Sequence, residues 1–395
     1  MLVLNLAHMA GSLAGGFLID RLGPRKVIGG AAALAIGVSI GAQFVGRNIP
    51  VFMVFAGLVG FIIAIGFSGF DSFARFLEET REGLARVNSL MKIAGYTAVI
   101  VGPAIGALVV TRFATQRVFF LTAIGATLAA VAMYFTRERL SNGRFPVGEG
   151  AHDVVRQEPH EEPHGEPHDV PRDEPGEDRH PIWEAVEGAR LLFTVPSLRL
   201  YGIIGIMMWF SFGAFDALES LYYKDVVGVG VEWMGWANTA VGAGLLLGAL
   251  LLTRVPARYI TTTLLASFVV FEGLASILYV GTHSIVWVMA GAFLLGIGFG
   301  LAEPLMPTLI QSDAPFHAVG RVQGALQFFR VGSALLPLAL APGLAEVFGV
   351  QGVLVGASAL TVVLVAFVMP SARRIDLAQK ASRHIERIDP LTAED

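Results

Sequence analysis

Arg330, Glu272, Asp216 and Glu219 are ionisable side chains set inside long apolar stretches. In a bilayer each costs several kcal/mol to bury, so each is a candidate for carrying a proton, an ion or a charged part of a substrate. Counted from the basic turn at Arg321, Arg330 lies about ten residues into its segment, ~15 Å deep at 1.5 Å per residue. Glu272, about thirteen residues into its own segment and ~20 Å deep, is the nearest acid by depth. The two either form a structural ion pair or divide the work, one meeting substrate while the other takes a proton. Asp216 and Glu219, at i and i+3 near the outer end of one helix, read as acids that gather protons or cationic substrate, or as solvated loop-edge carboxylates. Asn5 and His8 read as helix-packing hydrogen bonders. No Gly-x-x-x-x-Gly-Lys-Ser/Thr loop is present, and the four lysines (Lys26, Lys92, Lys224, Lys380) lie in other contexts. ATP-driven pumping by this chain is therefore not expected, and coupling is expected to come from ions. Cysteine is absent, which removes disulfides and thiolate metal sites; no metal site and no cofactor are expected.

The elements that must position these groups are membrane helices. With 54% hydrophobic residues, 15% charged residues, 46 glycines and a mean hydropathy of +0.64, the chain has too little polar surface for a soluble globule of 395 residues. Apolar stretches long enough to span the bilayer lie at about 1–19, 27–46, 51–73, 90–111, 117–135, 198–222, 233–253, 259–280, 285–310, 321–347 and 350–370. The spacing predicts eleven spanning helices, five and then six. Placing the turn at Arg21, Arg25 and Lys26 in the cytoplasm puts Arg75, Arg81, Arg86, Arg254, Arg258, Arg321 and the tail from Arg373 to Arg387 on the same side. Arg47, Arg112, Arg117 and Lys224 remain outside, so the positive-inside bias supports this orientation.

The turn between the first two stretches reads Gly16-Phe-Leu-Ile-Asp20-Arg21-Leu-Gly23-Pro-Arg25-Lys26. It resembles the signature loop of the major facilitator superfamily, in which glycine, an acid, a cation, a second glycine and two basic residues recur at these spacings. The resemblance implies an all-α membrane fold of two parallel-repeat halves with a substrate site between them at the midplane. It also implies a cytoplasmic gate, in which Asp20 latches the halves together with Arg75 as a partner. The dipole of the helix beginning near Gly320 is offered to the same acid. Asp71 and Glu303, read at the cytoplasmic ends of their stretches, are assigned to the gate as well. In the family the signature follows the second helix, whereas here it follows the first, so one helix is expected to be missing at the front. Gly102-Pro103-Ala-Ile-Gly106 looks like the glycine-proline motif of exporters, although Ala107 stands where that motif has glycine. Leu84 to Asn88 and Gly320 to Gly324 resemble the macrolide and enterobactin exporter branch.

The halves repeat: a displacement of 232 lays Asp71 on Glu303, and one of 235 lays Arg86-Val87-Asn88 on Arg321-Val322-Gln323. The organisation expected is a transmembrane half at 1–135, a linker at 136–197, a second half at 198–370 and a cytoplasmic tail at 371–395. In the linker, His160, His164 and His168 recur in a proline-rich acidic repeat that reads as a solvated spacer, with weak transition-metal binding as the alternative. Residues 182–194 read as an amphipathic helix on the membrane surface. The function expected is secondary active, proton-coupled export of a small amphipathic compound, a drug or siderophore, by a monomer in the plasma membrane with no nucleic-acid partner. The alternatives are an uptake carrier of the same fold, and a membrane protein that transports nothing. The chain is not expected to be an enzyme.

Overall fold

The computed structural model describes residues 2–42, 49–112, 118–136, 181–230 and 232–388, and every regular element among them is helical. The first group is α1 (Leu2–Leu22), α2 (Pro24–Ala42), α3 (Ile49–Phe73), α4 (Arg81–Arg112) and α5 (Val118–Phe135). A short helix, α6 (Pro181–Thr194), precedes α7 (Pro196–Leu221), α8 (Glu232–Leu252), α9 (Thr262–Val280), α10 (Ile285–Asp313) and α11 (Val319–Ile388). The histidine repeat of the linker lies outside the described residues.

Seven of the described helices are long and apolar enough to cross a membrane. One of them, α11, is two limbs. At Gly349 φ is 73° and ψ 157°, a left-handed conformation that glycine adopts without the Cβ clash other residues meet. The limbs fold back as a hairpin that buries Ala341 and Leu354 in one apolar cluster. Each apolar stretch read from the sequence falls on a helix or on a limb of α11.

Local chemistry sets the boundaries. Gly23, at φ 80°, turns the chain between α1 and α2, and Pro24 opens α2 where a missing N–H costs nothing. Pro196 does the same for α7 after the extended Val195. Thr261 caps α9, its hydroxyl accepting from the Leu264 N–H at 3.2 Å. Several helices outrun their apolar stretches: α4 begins at Arg81 and α10 continues to Asp313. Residues that look terminal on the hydropathy pattern are therefore two or three turns inside a helix.

Within the first group α1 packs on α3, and α2 on both α3 and α5; within the second α8 and α9 pack on α10, and α7 and α9 on α11. Two seams join the groups: α1 against the first limb of α11, and α4 against α8 and α10. Gly16 lies on Gly320 and Ser12 on Gly324, so α1 and the first limb run antiparallel.

Small residues make the closest contacts, as expected where lipid tails are no less apolar than leucine. Gly244 and Gly248 of α8 face Gly296 and Gly300 of α10, and a Cβ on any of the four would overlap a backbone carbonyl of the opposite helix. Gly248→Leu or Gly300→Leu should therefore cost about 3 kcal/mol or more by overpacking. The purified protein should melt at a clearly lower temperature, whereas Gly29→Ala in α2, with nothing within 4 Å of its Cβ position, should leave the melt unchanged or raise it. Equal melting curves for the two variants would show that this seam does not hold the helices together.

Candidate functional site

Arg330, on the first limb of α11, is buried and pairs with Glu303 of α10 through its terminal guanidinium nitrogen. Its guanidinium lies 4.7 Å from the ring centre of Trp209 on α7, a cation–π contact. Glu303 also accepts from Trp209 Nε1 at 3.4 Å and from Lys92 Nζ at 3.4 Å. Lys92, on α4, reaches in addition to Asp71 of α3 at 3.0 Å. Asp71 and Glu303, which the repeat lays on one another, thus converge on one lysine from opposite halves.

This placement corrects the sequence reading in two ways. Arg330 meets Glu303 and not Glu272. Glu303 and Asp71 join Arg330 and Lys92 in one charged cluster and make no bond to Asp20 among the described residues. Glu303 lies about ten residues, ~15 Å, from the end of α10, because that helix runs on to Asp313. Side chains lean toward the N-terminus of their own helix, so Glu303 and Asp71 point inward from α10 and α3, and Arg330, on a limb of opposite direction, leans down to meet them. Glu272 sits buried on α9 against Gly298 of α10, and its Oε2 has no hydrogen-bond partner among the described residues.

Arg330, Glu303, Lys92 and Asp71 line one wall of a cavity of about 220 Å³. Phe67, Trp209 and Phe212 give it aromatic faces. Asn5, His8 and Asp216 line it further from the Asp20 end, so Asn5 and His8 face the cavity and do not merely pack. His8 Nε2 lies 3.3 Å from the Gln327 amide. Asp216 and Glu219 differ in their surroundings. Asp216 is exposed in the cavity, whereas Glu219, rotated from it about 60° around the helix, accepts from the Tyr279 hydroxyl. Tyr223 in turn shares a 2.7 Å hydrogen bond with Tyr279.

Beneath the cluster the bundle is closed by amides and then by charge. Asn88 Nδ2 donates to Thr308 Oγ1 at 2.9 Å and to Gln311 Oε1 at 2.8 Å, and Gln323 donates to the Asp71 carbonyl at 3.2 Å. Two charged latches then join the halves. In the first, Asp20 accepts from the backbone N–H groups of Gly320 at 2.8 Å and Arg321 at 3.0 Å, and from Arg321 Nε at 2.9 Å. The acid caps the positive end of α11, as the resemblance implies, but its cation is Arg321 and not Arg75. Arg75 sits in a one-turn 3₁₀ helix, and its Nε has no partner among the described residues. Gly16 permits the approach: a Cβ there would stand 2.5 Å from the Gly320 carbonyl.

Arg321 Nη1 also bonds Glu187 of α6 at 2.6 Å. The linker helix therefore lies across this latch, with Leu192 wholly buried and Gly188 against the Arg321 backbone. In the second latch Arg81, opening α4, pairs with Asp313 at the end of α10, and Asp313 accepts further from Tyr201 at 2.7 Å and from Gln379 at 2.8 Å. Of the remaining signature residues, Arg25 donates to the carbonyls of Met133 at 2.8 Å and Tyr134 at 2.6 Å, tying α2 to α5. Arg21 stacks on Phe17 at 4.5 Å, and Lys26 is exposed. The backbone of Gly102, Pro103 and Gly106 lies in α4. Lys92, Trp209, Arg321, Glu187 and the Arg81–Asp313 pair were not singled out from sequence; Lys92 alone had a readable signal, a lysine eleven residues beyond Arg81 on a continuous helical register.

Comparison with known proteins gives a consistent result. The model of the family described as Major Facilitator Superfamily matches residues 1–337. The chain is similar to the "Multidrug efflux pump Tap" of Mycobacterium tuberculosis, 27% identical over 94% of this chain and 84% of that protein. It is 26% identical to the protein of the same name from Mycolicibacterium fortuitum, over 95% of this chain and 87% of the other. Among solved structures it resembles the human organic anion transporter MFSD10, with a TM-score of 0.68 at 14% identity, covering 93% of this chain and 82% of that one.

Proposed function

The chain belongs to the major facilitator superfamily and is a membrane-spanning transporter, and from that premise we propose that it exports a small amphipathic compound across the plasma membrane in exchange for protons. The observation that carries this reading is the charged cluster of Arg330, Glu303, Lys92 and Asp71 in the wall of an aromatic cavity, with charged latches at one end of the bundle. Aromatic faces suit the apolar part of an amphipathic molecule, and the charged wall suits its polar part. The similarity to proteins named efflux pumps supports the direction. The basic turns favour a cytoplasmic position for the latched end. Asp216, exposed in the cavity, is the acid available to an incoming proton, while Glu303 is already held by two cations.

Inverted vesicles carrying the protein test this. Under an imposed gradient with an acidic interior, an amphipathic dye such as ethidium should accumulate, and an uncoupler should abolish the accumulation without any need for ATP. Uptake that survives the uncoupler and stops when ATP is withdrawn would overturn proton coupling.

A further inference from the structure

A second cavity, of about 420 Å³, opens at the latched end between the start of α9 and the last turns of α11, far from the charged cluster. Its walls carry Arg258, Arg373 and Lys380. Arg373, Leu377 and Lys380 follow one another at i, i+4 and i+7 on one helix face, so the two cations flank an apolar residue that is 65% exposed. Arg258 approaches from the short turn before α9 and stacks on Tyr259, itself half exposed. None of the three cations forms an ion pair among the described residues.

Among the described residues of the wall the one acid is Asp376, and its charge is used locally. It accepts from the backbone N–H groups of Thr262 and Thr263, both at 2.9 Å, and from the Thr263 hydroxyl. That leaves three exposed cations around one cavity, with Thr261, Thr263 and Ser267 supplying hydroxyls and Leu264 and Leu377 an apolar floor. The apolar stretch of the second limb ends near residue 370, so Arg373 begins where the hydrocarbon gives way to headgroups.

We propose that this cavity binds the phosphate of an anionic phospholipid, with the headgroup between Arg258, Arg373 and Lys380 and an acyl chain descending along Leu264. Phosphate is the shared chemistry of a lipid headgroup and a free anion. The exposed Leu377, the half-buried Leu264 and the position at the membrane boundary favour the lipid, because basic pockets between spanning helices at this level suit acidic headgroups. Each cation near an anionic surface contributes roughly a fivefold gain in affinity, so neutralising all three should weaken binding on the order of 100-fold.

Native mass spectrometry of the full-length protein in detergent, titrated separately with phosphatidylglycerol, phosphatidylcholine and inorganic phosphate, tests the site without reference to transport. Wild type should retain one phosphatidylglycerol in preference to phosphatidylcholine. The triple variant Arg258→Gln, Arg373→Gln, Lys380→Gln should lose that preference, while Lys380→Arg should keep it. All three side chains changed are exposed, so the fold is not at stake, and an unchanged melting temperature of the triple variant without added lipid verifies this. Retention of phosphatidylglycerol by the triple variant at wild-type level, or equal binding of both lipids by wild type, would overturn the proposal. Displacement of bound phosphatidylglycerol by millimolar inorganic phosphate would overturn the lipid assignment in favour of a free-anion site. A failure of proton coupling in vesicles would leave every one of these outcomes unaffected.

Discussion

Arg330→Ala should reduce transport by at least tenfold while the protein still reaches the membrane. A guanidinium stays charged at any physiological pH, and here it is compensated by Glu303 and the face of Trp209 in a buried site. Removing it leaves Glu303 with Lys92 and the Trp209 N–H alone. Breaking one side of such a pair costs about 3–5 kcal/mol, largely because a charge is left buried and uncompensated. Arg330→Lys should recover little, since one rotating ammonium replaces neither the planar fork of donors nor the stack on the indole.

The informative variant is the double one, Arg330→Met with Glu303→Gln. If the pair only holds the helices, neutralising both partners should restore stability and transport together, because apolar replacements of buried pairs are often neutral or better. On the reading proposed here the double variant regains its melting temperature and stays inactive in the vesicle assay. Recovery of transport to within twofold of wild type would reduce Arg330 to a structural residue.

The second large effect is expected at Asp20. Its carboxylate takes two backbone donors at the start of α11 and the Arg321 side chain, three charge-assisted bonds across the seam between the halves. Asp20→Asn keeps the shape and removes the charge. A loss of about 3 kcal/mol from the latched state would shift the ratio of latched to open molecules about 100-fold. Transport should fall by more than tenfold, because a carrier that rests open at one end cannot complete its cycle.

The shift can be read directly, since the chain has no cysteine of its own. Ser12, wholly buried where α1 meets Gly324, is a near-isosteric place for a single thiol. Ser12→Cys should react slowly with a bulky water-soluble maleimide in the wild-type background and at least tenfold faster with Asp20→Asn. Glu187→Gln, which loosens the linker helix from Arg321, should give a smaller increase in the same direction. Equal labelling rates with and without Asp20 would mean that the Arg81–Asp313 pair closes this end unaided.

The family resemblance pointed to Asp20 as the acid of a latch, and the sequence by itself determined the membrane class and the helical architecture. These are local properties. Apolar runs of bilayer length must satisfy their backbone internally, and the spacing from Gly16 to Lys26 fits one glycine turn between two helices. It also marked Arg330 as costly, because a lone arginine amid apolar residues is visible without a fold. Partner choice belonged to the tertiary structure. Glu272 was nearest by counted depth, yet Glu303 took the arginine, because α10 extends to Asp313 and its side chains lean back along the helix. Lys92 entered the sequence analysis only as one of four lysines, but α4 begins at Arg81 and carries it into the cluster. Asp20 found Arg321 and not the nearer Arg75, since the first limb of α11 lies antiparallel on α1 and brings residue 321 within hydrogen-bond reach of residue 20. Hydropathy reports where a segment is apolar; which charges meet depends on where each helix ends, how it turns about its axis and which neighbour faces it.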